Sequence, residues 1–324
     1  MAGKPVDDPA DIGALFEVPI FSPESGLIQA AARRLSSQAS DGRAEVHAQV
    51  ALNLAPCGKN CKFCAFASSN GVFREPRDVP FDYVIEQCGQ FEHDGANAIY
   101  LMATGTYPFD TFLDQGAQIR SRLRNETTLI ANVGDFDPDQ GRQLKEAGFD
   151  GIYHAVRLGE GEVTGIPVER RLKTFRSAEE AGLVLGTCLE PVGPEHTTRE
   201  LVDKLIITRD ARPAYSGSAR RISIPGTELA EHGMVSEARM AHILAVVRLV
   251  LPLTIPGNCT HEPNSLGTAA GANLLWAETG ANPRDIKERT EEGRGMTVAE
   301  CREILGEAEW ERLEGPSAFY RNGG

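Results

Sequence analysis

No stretch of this 324-residue chain approaches the roughly 20 consecutive apolar residues that a membrane span requires. The N-terminal MAGKPVDDPADIG has neither the basic nor the apolar region of a secretory leader, so a cytoplasmic protein with no membrane partner is expected. Positive charge is scarce as well: 33 Lys and Arg against 46 Asp and Glu leave a formal charge of -13. That balance argues against nucleic acid as the main partner, because phosphate binding needs clustered Lys and Arg, although it leaves room for a local basic pocket. No G-x-G-x-x-G follows the first predicted strand, so the usual mark of an open dinucleotide-binding sheet is missing. Linkers, low-complexity runs and strong repeats are missing too.

What is there is alternation. Short apolar runs at 47–55, 97–103, 127–133, 151–156, 183–190, 220–225, 252–257 and 272–278 read as strands. Amphipathic stretches near 80–95, 110–124, 138–148, 168–182, 198–207 and 236–250 separate them, with a short seventh near 264–271. In EAGFD and EEAGL a Gly follows a helix and precedes a strand, a helix-stop signal. Eight strands with helical crossovers suit a parallel sheet, and eight is the count that closes a (β/α)8 TIM-type barrel. The expected organisation is α/β: a helical lead-in over 1–40, a single barrel domain over 41–283, and a helical tail over 284–324 packed on the barrel.

Seven cysteines without export signals do not read as a disulfide set. Cys88, Cys188, Cys259 and Cys301 are dispersed, and each alone reads as a small buried hydrophobe. Cys57, Cys61 and Cys64 are clustered in APCGKNCKFCAF, where the first strand ends. In parallel barrels that edge carries the chemistry. Three thiolates bind three irons of a [4Fe–4S] cube and leave the fourth iron open. The alternative is a zinc site completed by a distant ligand such as Cys88 or His93.

The C-x3-C-x2-C spacing, with aromatic Phe63 just before Cys64, resembles the signature of the radical S-adenosylmethionine superfamily. Resemblance to its biotin synthase-like group extends over about residues 14–283, through LFEVPIF, EAGFDGIYHAV, VGPEHT (192–197), IPGTEL (224–229) and AGAN (270–273). The group includes 3-methylornithine synthase and a hydrogenase-maturation enzyme, and its members are barrels that hold substrate in the lumen. The resemblance implies a [4Fe–4S] cluster on Cys57, Cys61 and Cys64, with S-adenosylmethionine chelating the open iron. It implies reductive cleavage to a 5′-deoxyadenosyl radical, fed by a flavodoxin- or ferredoxin-type electron donor. It places Phe63 near the adenine, and Ala103, Thr104 and Gly105 at the methionine amino group. Tyr153, His154 and Arg157 fall where the ribose and the methionine carboxylate are held.

Biotin synthase carries a second, sulfur-donating cluster on interior cysteines and an arginine. Here the predicted second and third strands have no cysteine, and Cys188 and Cys259 cannot supply three thiolates, so no second cluster is expected. Hydrogen abstraction from a small polar, amino-acid-like molecule, followed by rearrangement or fragmentation, is the favoured reaction. Biotin- or lipoyl-type sulfur insertion is the alternative within the superfamily, and a non-catalytic iron–sulfur or zinc protein the alternative outside it. Arg157, Glu160, Glu190, Arg221, His261, Glu262 and Glu278 are expected to crowd the catalytic face. Glu190 shares a strand face with Cys188, and a carboxylate there needs a cation, from a substrate ammonium or from Arg221. Glu190, Cys188 and Arg221 are therefore the candidate substrate-handling residues.

Overall fold

A computed structural model describes residues 4–54 and 56–321. Ala55, the last residue of the predicted first strand, lies outside them, as do the ends of the predicted lead-in (1–3) and tail (322–324).

Eight parallel strands close on themselves: β1 (Arg43–Ala51), β2 (Ala98–Met102), β3 (Thr128–Asn132), β4 (Gly151–Tyr153), β5 (Val184–Gly186), β6 (Tyr215–Arg220), β7 (Gly257–Thr260) and β8 (Leu274–Thr279). The ring is completed where β8 pairs with β1, Leu274 opposite Glu45. A segment at Leu189–Val192 resumes β5 after a break at Thr187 and Cys188 and pairs with β6. Crossovers are α3 (Phe81–His93), α4 (Phe109–Arg120), α5 (Pro138–Glu146), α6 (Val168–Glu180), α7 (Thr198–Asp210), α8 (Glu237–Val250) and the short α9 (Ser265–Ala269); α1 (Pro9–Glu17) and α2 (Pro23–Ala39) precede the barrel. The fold is the expected (β/α)8 barrel. Among the described residues no helix is long and apolar enough to cross a membrane.

Local chemistry explains the helix limits. Asp137 with Gln140, and Thr197 with Glu200, form reciprocal capping boxes at the starts of α5 and α7. Gly148 and Gly182 follow α5 and α6 at φ 93° and 68°, where glycine carries no Cβ penalty. Alternate strand residues divide between two cores. Val46, Ile99, Leu101, Leu129 and Ile152 face outward onto Val84, Phe112 and Leu144 of the helices. Tyr100, Tyr153, Tyr215 and Trp276 face the lumen.

Two predicted strands lie elsewhere. β6 is Tyr215–Arg220, not 220–225, and β7 is Gly257–Thr260, not 252–257. Both are poor in large apolar residues because they pack too closely to accept any. A Cβ on Gly217 would stand 2.1 Å from the Cys259 carbonyl oxygen, and one on Gly257 2.3 Å from the Tyr215 Cβ. β1 begins four residues before the predicted start because Glu45 reads as polar, yet it is fully buried.

The region after β8 is less helical than expected: α10 (Val298–Glu307) is its one α-helix among the described residues. Its last residues close the bottom of the barrel. The Glu45 carboxylate accepts hydrogen bonds from the Ser317 hydroxyl (2.6 Å) and the backbone N–H groups of Ala318 (2.8 Å) and Phe319 (3.2 Å). It also stands 2.7 Å from the His47 Nε2, so this buried acid is fully partnered. Tyr320 reaches the Tyr100 hydroxyl at 2.9 Å. With the bottom sealed, the opposite end of the lumen is left for chemistry.

Candidate active site

The cysteine loop leaves β1 at that open end. Its backbone is tied in on several sides: Lys62 N–H donates to the Val163 carbonyl (3.0 Å), Ala65 N–H to Pro283 (2.9 Å) and Cys57 N–H to Phe66 (2.6 Å). The Asn70 amide donates to the Cys64 carbonyl at 2.9 Å and reaches those of Cys61 and Lys62 at 3.3 and 3.4 Å. The loop is thus held in shape by partners that are 6 to more than 200 residues away in sequence.

Cys57, Cys61 and Cys64 share the wall of one cavity with Phe63, Ala103, Thr104, Gly105, Tyr153, His154, Arg157, Glu190 and Arg221. Of the residues expected at the catalytic face, Cys188, Glu160 and Glu262 are not on that wall; Cys188 is fully buried among Tyr153, Tyr215 and Cys259. Among the described residues, the three sulfurs of the loop do not all lie within 4.8 Å of one another. A single zinc ion, with Zn–S near 2.3 Å, would draw thiolates to within about 4 Å of each other. The spread suits the larger iron–sulfur cube. Burial pushes the Cys64 thiol up to about 12, with neighbouring Cys61 adding to the effect, so ionisation requires a metal that takes the proton's place on sulfur and releases it to solvent. The Phe66 N–H already points at the Cys64 sulfur (3.4 Å), the kind of contact that stabilises a cluster-bound thiolate. The donor set fits a site-differentiated [4Fe–4S] cluster.

The loops after β2 and β3 form the next wall. Asn53 clamps the first of them, accepting from the Thr104 N–H and donating to its hydroxyl, both at 3.0 Å. A Cβ on Gly134 would stand 2.9 Å from the Gly105 carbonyl oxygen, so the two loops touch backbone to backbone.

Beyond β4 the charges are paired. His154 Nε2 stands 3.0 Å from Asp135, which also takes Arg171 at 3.1 Å. Burial opposes ionisation of Asp135, but the His154 hydrogen bond and the charge of Arg171 hold its carboxyl well below the usual range. Burial lowers His154 to about 4 in spite of that carboxylate, so its imidazole is neutral at ordinary pH. Glu160 accepts from the Thr164 hydroxyl (2.6 Å) and pairs with Arg171 (3.2 Å).

Glu190 lies on the cavity wall, but its cation is not Arg221. Arg157 Nε stands 3.3 Å from its carboxylate. Burial disfavours the guanidinium charge of Arg157, and Glu190 and Glu160 more than restore it. Arg221 pairs with Glu195 and donates to the Gly233 carbonyl at 3.1 Å. The reason is the displaced strand: β6 ends at Arg220, so Arg221 belongs to the following loop and turns toward VGPEHT. Glu278 on β8 accepts from Asn282 (2.8 Å) and Arg294 (2.7 Å). Asn282 and Arg284 line the cavity from beyond the expected barrel boundary or at its edge, and the sequence carried no sign of them. Asp135 could have been found, since it follows β3 at the strand edge where barrel chemistry gathers.

Sequence comparison converges on the same reading. The Radical SAM superfamily profile matches residues 56–206, from the cysteine loop through α7. The chain is 26% identical over 311 residues to biotin synthase of Halorhodospira halophila, covering 90% of this chain and 94% of that protein. It is 27% identical over 235 residues to biotin synthase of Desulforudis audaxviator, covering 68% and 70%. Among solved structures, the FeFe-hydrogenase maturase HydG from Carboxydothermus hydrogenoformans shares the fold at a TM-score of 0.80 and 18% identity, covering 98% of this chain and 78% of that one. A methylornithine synthase does so at 0.78 and 15%, covering 97% and 95%. With the cysteine loop, the closed barrel and the shared cavity, these matches make the chain similar to the radical S-adenosylmethionine superfamily and, within it, to the biotin synthase-like group, and they support an enzyme whose cofactors are a [4Fe–4S] cluster and S-adenosylmethionine.

Proposed function

We propose that Cys57, Cys61 and Cys64 hold the cluster, that S-adenosylmethionine lies against Phe63 and the Ala103–Gly105 loop, and that the remaining lumen takes a small polar, amino-acid-like substrate. When bound, the cofactors would supply one-electron radical chemistry for hydrogen abstraction from the substrate, with rearrangement or fragmentation as the expected outcome. Tyr153, His154 and Arg157 border the ribose and carboxylate side in this arrangement. The protein's part is to orient the reactants and exclude water. The observation that carries the substrate class is the Arg157–Glu190 pair on the same cavity wall as the cysteine loop. A zwitterion can divide itself between such a pair, its ammonium on Glu190 and its carboxylate near the arginines, without leaving a charge bare. A flavodoxin- or ferredoxin-type protein in the cytoplasm would supply the electron.

Sulfur insertion is the second reading, favoured by the biotin synthases among the relatives. Against it, the lumen positions of β2 and β3 are Ala98, Tyr100, Met102, Thr128, Ile130 and Asn132, none of them a cysteine. The test is anaerobic turnover with dithionite and deuterated candidate substrates. Deuterium should pass into 5′-deoxyadenosine, the product should gain no sulfur, and Cys57→Ala should abolish cleavage. Undiminished cleavage by Cys57→Ala would refute the cluster assignment, and a sulfur-containing product would replace the first reading with the second.

A further inference from the structure

Beneath the cavity, the break after β5 and the end of β7 bring Cys188 against Cys259 and His261, which are far from it in sequence. The Cys188 and Cys259 sulfurs and a ring nitrogen of His261 all lie within 4.8 Å of one another, and all three residues are buried. Among the described residues this is the one set of three or more His, Cys, Asp or Glu side chains that close together. The cysteine loop is spread more widely than a single ion allows. This group is not, since a tetrahedral ion with bonds of about 2.0–2.3 Å would need these atoms to close in by only about 1 Å.

Two further observations point to a ligand. The His261 Nε2 is buried without a hydrogen-bond partner, as is the hydroxyl of Tyr153, which packs in the same cluster. Buried polar atoms are rarely left bare, and an imidazole with an unpartnered nitrogen and a ring nitrogen within 4.8 Å of two sulfurs can donate an electron pair to a metal. Neighbours also fix the histidine. Its ring stacks on Trp276 at 4.6 Å between centroids and 9° between planes, and its carbonyl accepts from Arg294 at 3.4 Å. Orientation by surrounding groups is what a metal-ligating imidazole needs.

We propose that Cys188, Cys259 and His261 form a second metal site, which takes one thiophilic divalent ion of the zinc type and leaves a fourth position for a ligand from the cavity that His261 borders. Two thiolates and an imidazole are a soft to borderline donor set, which selects zinc over magnesium or calcium. Three protein ligands with a fourth position open is the pattern of zinc sites that bind or activate a small molecule. The site has no ligand on β2 or β3, is mononuclear, and makes no use of the cysteine loop. It therefore stands or falls separately from the proposed reaction.

The experiment uses the Cys57→Ala/Cys61→Ala/Cys64→Ala chain, which cannot build the radical cluster, titrated anaerobically with Co2+. One Co2+ per chain is expected, with thiolate-to-cobalt charge-transfer absorption, displaced by Zn2+. Adding Cys188→Ser or Cys259→Ser should abolish that absorption, and His261→Ala should weaken binding at least tenfold. Absence of stoichiometric binding in a variant with a native circular dichroism spectrum would overturn the proposal, as would binding indifferent to Cys188 and Cys259. Should the triple variant fail to fold, metal analysis of the anaerobic native enzyme decides. About one zinc beside about four irons is expected, with zinc lost and iron kept in Cys259→Ser. About six irons, with a binuclear Mössbauer component lost in Cys259→Ser, would replace the mononuclear ion with a second cluster and overturn the proposal.

Discussion

Glu190 and Arg157 form an ion pair on the cavity wall, and the proposed function makes it the contact for substrate charge. Both are largely withdrawn from water, so their mutual attraction is only weakly screened, and a substrate charge entering the pair is strongly felt. Glu190→Gln keeps shape and loses charge, which at a buried charge-assisted contact costs on the order of 2–4 kcal/mol, or roughly 30- to 1000-fold. The expected outcome is a fall of that size in the coupled reaction, while 5′-deoxyadenosine formation without substrate persists; equal kcat/KM for mutant and wild type would remove Glu190 from the site. His154 provides a pH-dependent case. Its folded value of about 4 lies below the ordinary 6.5, so the unfolded chain binds the extra proton first. That contribution to stability is whole above pH 6.5 and is lost as pH falls toward 4. Between pH 7.5 and 5.5 the wild type should lose about 1 kcal/mol more than His154→Gln. Urea midpoints at the two pH values measure it, and parallel losses would refute it. At this scale the sequence was explicit about the cysteine loop, because C-x3-C-x2-C is local chemistry. It was silent on Asn70, Arg171 and Arg284, ordinary polar residues given their places by distant partners.

Strand β6 shows why hydrophobicity alone misplaces an element. Its interior reads Ser216, Gly217 and Ser218, a sequence with no apolar signal, yet all three are buried. Gly217 sits at φ 135° with the Cys259 backbone against it, so a side chain would meet both torsional and steric resistance. Gly217→Ala should therefore cost about 3 kcal/mol or more. A clearly lowered unfolding midpoint or insoluble expression is expected, and an unchanged midpoint would mean that β6 and β7 can part freely. The amphipathic helices were legible to within a few residues, since their period and caps are written locally. The two strands were not, since what selects their residues is the neighbouring strand. That same shift put Arg221 in the loop after β6, where it pairs with Glu195, and left Arg157 to meet Glu190.

For the whole molecule, the chain's last described residues hold the barrel shut from below. Tyr320 lies against Gly151 and Gly186, where an added Cβ would come within 2.7 and 2.5 Å of its ring or hydroxyl. Tyr320→Ala would open a hole under the lumen at a cost of about 3–5 kcal/mol. A lower thermal midpoint with an iron content still near four per chain is expected; loss of iron instead would show that the floor and the cluster loop are coupled.

By itself the sequence determined the class of chemistry, the barrel and the face on which the cysteines stand. These depend on spacing within a dozen residues and on period, which any stretch of chain displays unaided. Only the tertiary structure decided that Glu45 would be a buried anchor, that Arg157 would partner Glu190, and that His261 would meet Cys188 and Cys259. Those outcomes depend on where a closed ring brings separated strands into register, and no local pattern encodes a distance between residues that meet only when the ring closes.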